Sequence, residues 1–400
     1  MITVTDAERF ILDSIRICPA KELSLPEAYG LVLREDVFAD RDQPAFHRAT
    51  MDGIAIAFSS WKAGQKSFSI AGAQKAGVAD QGLKDKTKCL EIMTGAVLPE
   101  GSDCVVPVED IEIRAGIAHI RSGAKFAARQ NVHQQAADYR RGEKLLAKGT
   151  VLNPPQIAVA AAVGKARIKV SAPPKIAVIG TGDELVEIDK PVKLYQTRRS
   201  NVYALQATLQ LNGFSDVKRF HLRDNKKELL SSLKKILWTF DVLILSGGVS
   251  MGKFDLVPES LQALGVQVIF HQVKQRPGKP FWFGKTKNEK PVFALPGNPV
   301  STQVCAVRYV LPYLRRAVGL PDDCFSKAVL TNAWEVKGEL TQFLPVKISG
   351  NSHAQIAATP VSFGGSGDFA ALREAQGFVE LPTEPKSLPA GSVVRLFLWR

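Results

Sequence analysis

The chain lacks the features that would place it at a membrane or in an oxidising compartment. Its 400 residues include five cysteines, Cys18, Cys89, Cys104, Cys305 and Cys324, scattered and never in a CxxC pair. An odd, dispersed set argues against a disulfide framework or a structural zinc site, and predicts buried free thiols in a reducing compartment. Long apolar runs are missing: stretches such as 157–163 and 242–245 fall far short of the roughly 20 residues a spanning helix needs. The first segment, MITVTDAERFILDSIRI, carries Asp6, Glu8 and Arg9 where a secretory leader would be apolar. A soluble, cytoplasmic protein without a membrane partner is expected. There is no internal repeat, no low-complexity tract and no zinc-finger, RNP or basic-zipper pattern. Acidic residues are in deficit, 39 Asp and Glu against 52 Lys and Arg, a formal net charge of +13. The basic residues occur as dispersed pairs such as Arg140-Arg141, Arg198-Arg199, Lys226-Lys227 and Lys234-Lys235. Small anions, not nucleic acid, are the expected partners.

What is present is ordinary globular composition, 45% hydrophobic and 23% charged, at a length that exceeds one core and implies several domains. Helical periodicity runs over about 7–17 and again over about 25–37. Residues from 43 to about 138 change to glycines, short apolar runs and turn signals, as in a β-rich module. The stretch 142–170 reads as strand then helix and can fold back onto the first segment, which would make the β-rich module an insertion. After Pro173-Pro174, apolar strands at 176–179, 242–245 and 292–295 alternate with helical stretches at 201–211, 225–240, 256–264 and 300–318. That rhythm implies a parallel sheet covered on both faces. Beyond Pro321 short alternating strands return, ending at 392–398, as a small β domain would.

Three of these strands run into loops of unusual composition: Gly180-Thr181-Gly182-Asp183-Glu184, then Ser246-Gly247-Gly248-Val249-Ser250 with Asp255 beyond it, then Pro296-Gly297-Asn298-Pro299. Open parallel sheets bind ligands at the carboxyl ends of their strands, so the three loops would share one rim. Glycines let backbone N–H groups approach an anion closely, and helix N-termini add positive potential. Glu184, Asp224 and Asp255 accompany these loops. Asp224 and Asp255 could each cap a helix, but carboxylates beside a phosphate site also hold Mg²⁺. Arg276-Pro277-Gly278-Lys279-Pro280 sets two cations in a stiff turn, suited to a phosphate or oxyanion, with a solvated turn as the alternative. In the β-rich module, Asp52-Gly53 and Thr94-Gly95 read physically as turns.

Taken together, PAFHRATMDGIAIA, MTGAVLPEGSD followed by Val105, Val106 and Glu109, GTGDEL, SNVYAL, SGGVSMGKFD, RPGKPFWFG and LPGNPVS form an ordered set. With the C-terminal Gly365-Ser366-Gly367 and Glu380-Leu381-Pro382, they resemble the molybdopterin molybdotransferase (MoeA) family, related to the C-terminal domain of gephyrin, over nearly the whole chain. The resemblance implies an α/β multidomain fold of four domains. These are a discontinuous N-terminal α/β linker domain (1–42 and 139–172), an inserted β-rich domain (43–138), a central three-layer α/β domain (173–322) resembling the molybdopterin adenylyltransferase fold, and a C-terminal β domain (323–400). It implies a homodimer with a shared site, and a reaction in which adenylylated molybdopterin and molybdate give molybdenum cofactor and AMP with Mg²⁺. Protein partners would be the adenylyltransferase of the preceding step and molybdoenzyme acceptors.

By position, Glu184, Asp224 and Asp255 match acidic residues of the α/β domain, Asp224 and Asp255 being the expected metal ligands. Pro296 and Pro299 match a molybdate pocket. Asp52, Thr94 and Asp138 match functional positions that reach the partner's site, and Ser366 matches a serine of the last domain. Gly180, Thr181, Gly182, Ser246, Gly247, Gly248, Ser250, Arg276, Lys279, Gly297 and Asn298 complete the expected binding set. The chain departs from the family's pattern at Ala49, usually serine, and at Arg48, where a small polar residue is usual. It departs again at His133, Ala136 and Arg276, where the family carries Arg, Gly and Lys. Two other readings stay open. One is the adenylyl transfer step itself, against which the β-rich insertion speaks. The other is a catalytically weak paralogue that acts as a scaffold, kept open by the departures at 133–137.

Overall fold

The computed structural model describes residues 1–249, 256–321, 325–336, 338–350, 355–362 and 364–399. In the central domain the strands are β1 (Ile176–Thr181), β2 (Val217–Leu222), β3 (Val242–Ser246), β4 (Gln267–His271), β5 (Trp282–Lys285) and β6 (Pro291–Leu295). Strands β1, β3 and β6 are buried along their whole length, as required when helices cover both faces of a sheet. Alternate residues serve opposite faces. Val178, Ile244 and Phe293 join one core, while Ala177, Ile179 and Leu243 join the other.

The sheet order is β2-β1-β3-β6-β5-β4. The strands β2, β1, β3 and β6 are parallel, but β5 runs antiparallel to both β6 and β4. The expected parallel sheet is therefore mixed at one edge. The antiparallel pair closes around the Pro/Gly turn at 276–280, which sequence periodicity had shown only as a turn.

Helices α1 (Ser200–Leu211) and α2 (Lys226–Thr239) cover opposite faces, and α3 (Leu256–Ala263) lies beside α2. Asn225 caps α2 by accepting from the Glu228 N–H, and Lys290 closes its other end by donating to the carbonyls of Leu237, Trp238 and Phe240. The last helix is helical from Pro299 to Ala317 but widens into a π turn at Ala306–Val310. Pro312 explains the widening, because it has no N–H for the Arg308 carbonyl one turn back.

The opening helix, Val4–Asp13, packs Val4, Ala7 and Ile11 into the core shared by α1 and the last helix. The second expected helix, over 25–37, does not form. Strand Ala20–Ser24 pairs with Arg167–Ser171, a single 3-10 turn follows at Leu25–Ala28, and Gly30 turns left-handed at φ +76. Pro26 at the start, Gly30 in the middle and strand partners in the 144–171 segment outcompete helical periodicity here. The stretch after the β-rich module does fold back, with Lys144–Leu146 on Val37–Phe38 and a common small core.

Residues 53–120 build a six-stranded sheet, and a second six-stranded sheet is built mainly from residues 326–398. The latter sheet presses Phe343, Phe378 and Phe397 onto the last helix of the central domain. Arg308 is buried at 2% exposure and forms ion pairs of 2.7 Å with both Glu8 of the opening helix and Glu380 of the C-terminal sheet. Burial opposes its charge, yet the two carboxylates hold it protonated. The four described cysteines are free thiols, as expected; burial pushes Cys18 up to about 11 and Cys89, Cys104 and Cys305 up to about 12. No helix among the described residues is long and apolar enough to cross a membrane.

Candidate active site

Parallel strands deliver their C-terminal loops to one edge, and that edge holds a cavity of about 370 Å³. Gly180, Thr181 and Glu184 line it from the loop after β1, Ser246 and Gly247 from the loop after β3, and Gly297, Asn298 and Pro299 from the loop after β6. Gly247 has φ +99, and a Cβ on it would meet the Thr181 carbonyl oxygen at 2.8 Å. Only glycine allows the first two loops to approach this closely. Gly248 sits equally tight, 2.9 Å from the Thr181 hydroxyl by the same measure. Gly182 turns at φ +137 beneath the Glu184 carboxylate, leaving that side chain no room for a neighbouring Cβ.

The loops after β3 and β6 are held together by Asn201, the second residue of α1, the helix that follows the first loop. Its Nδ2 donates to the Gly297 carbonyl at 2.7 Å and the Ser246 hydroxyl at 2.9 Å, with the Thr302 hydroxyl at 3.2 Å. Thr302 in turn donates to the Pro296 carbonyl at 2.7 Å. Asn201 also lines the cavity. It stands in the SNVYAL stretch, yet neither composition nor periodicity singled it out. A small polar residue at the start of a helix that follows a glycine-rich strand end is the signal that could have done so.

Two further cavity residues were also not foreseen, Arg198 and Arg199. Arg199 is anchored through its terminal nitrogen to Glu187, which also accepts from Tyr203, while its Nε is buried without a partner. Thr181 is 3% exposed and its hydroxyl is likewise without a partner. Unmet buried donors cost about 1–3 kcal/mol each and are rare in folded proteins unless a ligand completes them.

The C-terminal domain supplies one wall. Asn298 Nδ2 donates to the Ser366 hydroxyl at 2.6 Å, the Val300 N–H donates to the Ser366 carbonyl at 3.1 Å, and Gly367 lines the cavity. Asp224 lies just beyond β2, where its N–H donates to the Asp183 carboxylate at 3.3 Å. Asp255 and Ser250 lie outside the described residues. Arg276 and Lys279 do not line this cavity. Their turn leaves the same rim but two strands further out, about 10 Å at ordinary strand spacing. Arg276 instead faces a second cavity of about 490 Å³ with Trp334, Glu335 and Gln342, and Lys279 is exposed.

The residues expected from the β-rich module meet one another but line neither of these cavities. The Asp52 carboxylate accepts from the Thr94 N–H at 2.6 Å and the Thr94 hydroxyl at 2.8 Å, and those two bonds, the backbone one first, hold it below the usual carboxylate range. Asp138 pairs with His133 at 2.9 Å. Both groups flank the short strand Arg48–Ala49, which pairs with Val132–His133 on one side and bonds to Gly95 and Ala96 on the other.

This geometry has counterparts. Residues 2–164 match the MoeA N-terminal region (domain I and II), residues 177–316 a probable molybdopterin binding domain, and residues 327–399 the MoeA C-terminal region (domain IV). A Synechocystis protein named molybdopterin molybdenumtransferase is 41% identical over 93% of both chains. The chain belongs to the MoeA family. Another member of the same name, from Haemophilus influenzae, is 30% identical over 99% of this chain and 98% of its own. A solved MoeA structure from Pyrococcus horikoshii aligns over 100% of this chain and 99% of that one, with a TM-score of 0.84 and 31% identity. The MoeA match spans both β-rich sheets as well as the central domain, so the insertion that set this chain apart from a stand-alone pterin-binding domain is a family feature.

Proposed function

We propose that this chain inserts molybdate into adenylylated molybdopterin, with Mg²⁺, at the 370 Å³ cavity of its α/β domain, yielding molybdenum cofactor and AMP. The coarser statement, a transferase of molybdenum cofactor biosynthesis, follows from membership of the family. The observation that carries the finer one is a cavity at the carboxyl rim built from three glycine-bearing loops, with Arg198 and Arg199 in its lining. Such a site suits a phosphorylated, hydrogen-bonding ligand and has no acid–base pair of the kind a protein nucleophile would need.

In this reading Arg198 and Arg199 face the phosphates, while Asn201 and the glycines fix the loops so that their N–H groups are aimed before substrate arrives. Water attacks the pterin–AMP anhydride, the P–O bond on the AMP side breaks, and the proton goes to bulk or to a phosphate oxygen. Arg276, at its own cavity on the same rim, is the cation for the incoming oxyanion. Magnesium is proposed on side-chain chemistry alone: Asp183 and Asp224 stand at neighbouring strand ends, where the Asp224 N–H donates to the Asp183 carboxylate, and Mg²⁺ asks for one or two carboxylates plus substrate oxygens, while the described residues hold no cluster of three such donors. Asp224 and Asp255 would hold it, and the metal would screen phosphate charge. The module patch at Asp52, Thr94 and Asp138 is assigned to the site of a second subunit in a homodimer, as the family resemblance implies. The division of the chain at 42, 138, 172 and 322 belongs to the same proposal.

The test is direct. Purified protein is incubated with adenylylated molybdopterin, molybdate and Mg²⁺, and AMP and active cofactor are measured. Stoichiometric AMP and cofactor, both lost on chelation of the metal, are expected. Neither AMP nor cofactor above the protein-free control would replace this reading with a scaffold, and adenylylated molybdopterin with pyrophosphate formed from ATP and free molybdopterin would replace it with an adenylyltransferase.

A further inference from the structure

The β-rich module carries a three-residue chain of contacts that the family pattern does not contain. Arg48 NH2 lies 3.1 Å from His133 Nδ1, and His133 Nε2 lies 2.9 Å from Asp138 Oδ1. A guanidinium has donors only, so Nδ1 must accept, and the ring proton must sit on Nε2, where it donates to Asp138. The short strand pairing of Arg48–Ala49 with Val132–His133 fixes this alignment. Of the charged or titratable groups on the surrounding segments, His47, Asp42 and Arg129 each have a partner. Gln135 donates to His47 at 3.1 Å and to Asp42 at 3.3 Å, and Arg129 reaches Gln134 at 3.5 Å.

We infer that neutral His133 is a positioning residue, holding Asp138 through Nε2–H and Arg48 through Nδ1, and that protonation of its ring dismantles the arrangement by expelling Arg48. An imidazolium donates from both nitrogens, so it keeps Asp138 but places an N–H against the guanidinium. Two like charges about 3 Å apart repel, and Arg48, which cannot lose its proton, must leave. Arg48 shares its strand with the segment that leads to Asp52, and its backbone bridges to Val97 in the segment after Thr94, so the side chain leaves from between the two halves of the patch. The inference rests on the proposed role of Asp138 in the reaction.

Histidine-labelled protein is examined by ¹⁵N NMR, with His133 assigned from the signals lost in His133→Gln. The Nε2–H tautomer is expected at neutral pH; an Nδ1–H tautomer overturns the inference without any assay. Cofactor formation is then followed against pH. Lowering the pH from about 8 to about 5.5 should cost the wild type roughly tenfold. His133→Gln, whose amide can donate to Asp138 and accept from Arg48 but cannot titrate, should stay within about twofold at the upper end and lose this acid limb. Arg48→Gln should flatten it too, because its amide can turn to accept from Nδ1–H. Superimposable profiles for wild type and both variants overturn the inference. Full activity in Asp138→Asn would instead remove the functional reading of Asp138 while leaving the tautomer result intact.

Discussion

The two regions that carry candidate chemistry are finished to different degrees. At the rim of the α/β domain, one amide, Asn201 on the helix after the first loop, ties the other two loops together, and the cavity behind it has walls from two domains. In the β-rich module, Asp52 and Thr94 pair with each other on an exposed surface, and Asp138 is 43% exposed. The rim resembles a preformed binding site. The module presents an ordered but open edge, useful only against something else. A preformed cavity tolerates little displacement, whereas an open edge can lose one hydrogen bond and still be pressed into place by its partner.

The largest effects should therefore come from the rim. Asp224→Asn is expected to abolish turnover in a folded protein, with about 100-fold or greater loss that added Mg²⁺ only partly restores. Full activity at ordinary Mg²⁺ would remove Asp224 from the metal site, and the N-cap of α2 is already Asn225. Next, Asn201→Ala should cost about 100-fold in kcat, as loop misplacement of an ångström can, with an unchanged circular dichroism spectrum. If Thr94→Val were as damaging as Asn201→Ala, the contrast between the regions would fail. Mixing sharpens it: Asp52→Ala and Asn201→Ala subunits, each inactive, should regain roughly a quarter of wild-type activity after exchange if the module serves its partner's rim. No recovery despite demonstrated exchange would build each site from one chain.

Smaller effects follow from single bonds. Ser366→Ala removes the acceptor of Asn298 and should raise KM roughly fivefold, the equivalent of about 1 kcal/mol. Thr94→Val removes the hydroxyl bond that helps keep Asp52 ionised. Since the folded carboxyl lies below its ordinary 3.8, ionised Asp52 stabilises the fold above that value and the contribution fades as pH falls through and below it. The variant's acid unfolding should accordingly begin at a slightly higher pH, readable by fluorescence.

Much of this could be read in the chain itself. Short continuous apolar runs and the glycine-rich ends of 176–181, 242–246 and 291–295 announce covered parallel strands and a shared rim, because both follow from local chemistry. The return of 142–170 onto the first segment was legible for the same reason. The antiparallel pair at 267–271 and 282–285 was not, since Val268 and Phe270 alternate too briefly to be told from loop. The expected helix over 25–37 failed because strand partners more than a hundred residues away outweighed periodicity. In the site, glycines and carboxylates were visible as types, whereas Asn201 and Arg199 matter through whom they touch. Arg276 and Lys279 were visible as cations, but their position two strands away from the cavity depends on an edge that only the fold reveals.

Arg308 has a consequence in time as well as in space. Its two carboxylate partners lie 300 residues upstream and 72 residues downstream. At a ribosomal pace of about 5–20 residues per second, Glu8 waits roughly 15–60 s for its guanidinium. During that interval the opening helix has lost neither water nor freedom, and its apolar face of Val4, Ala7 and Ile11 has nothing permanent to cover it. The arginine can be buried only once Glu380 has also emerged, so the end of the chain seals its beginning. A nascent chain halted before the final sheet would carry its first helix as an unclaimed sticky end, which makes that helix the segment most in need of a chaperone during synthesis.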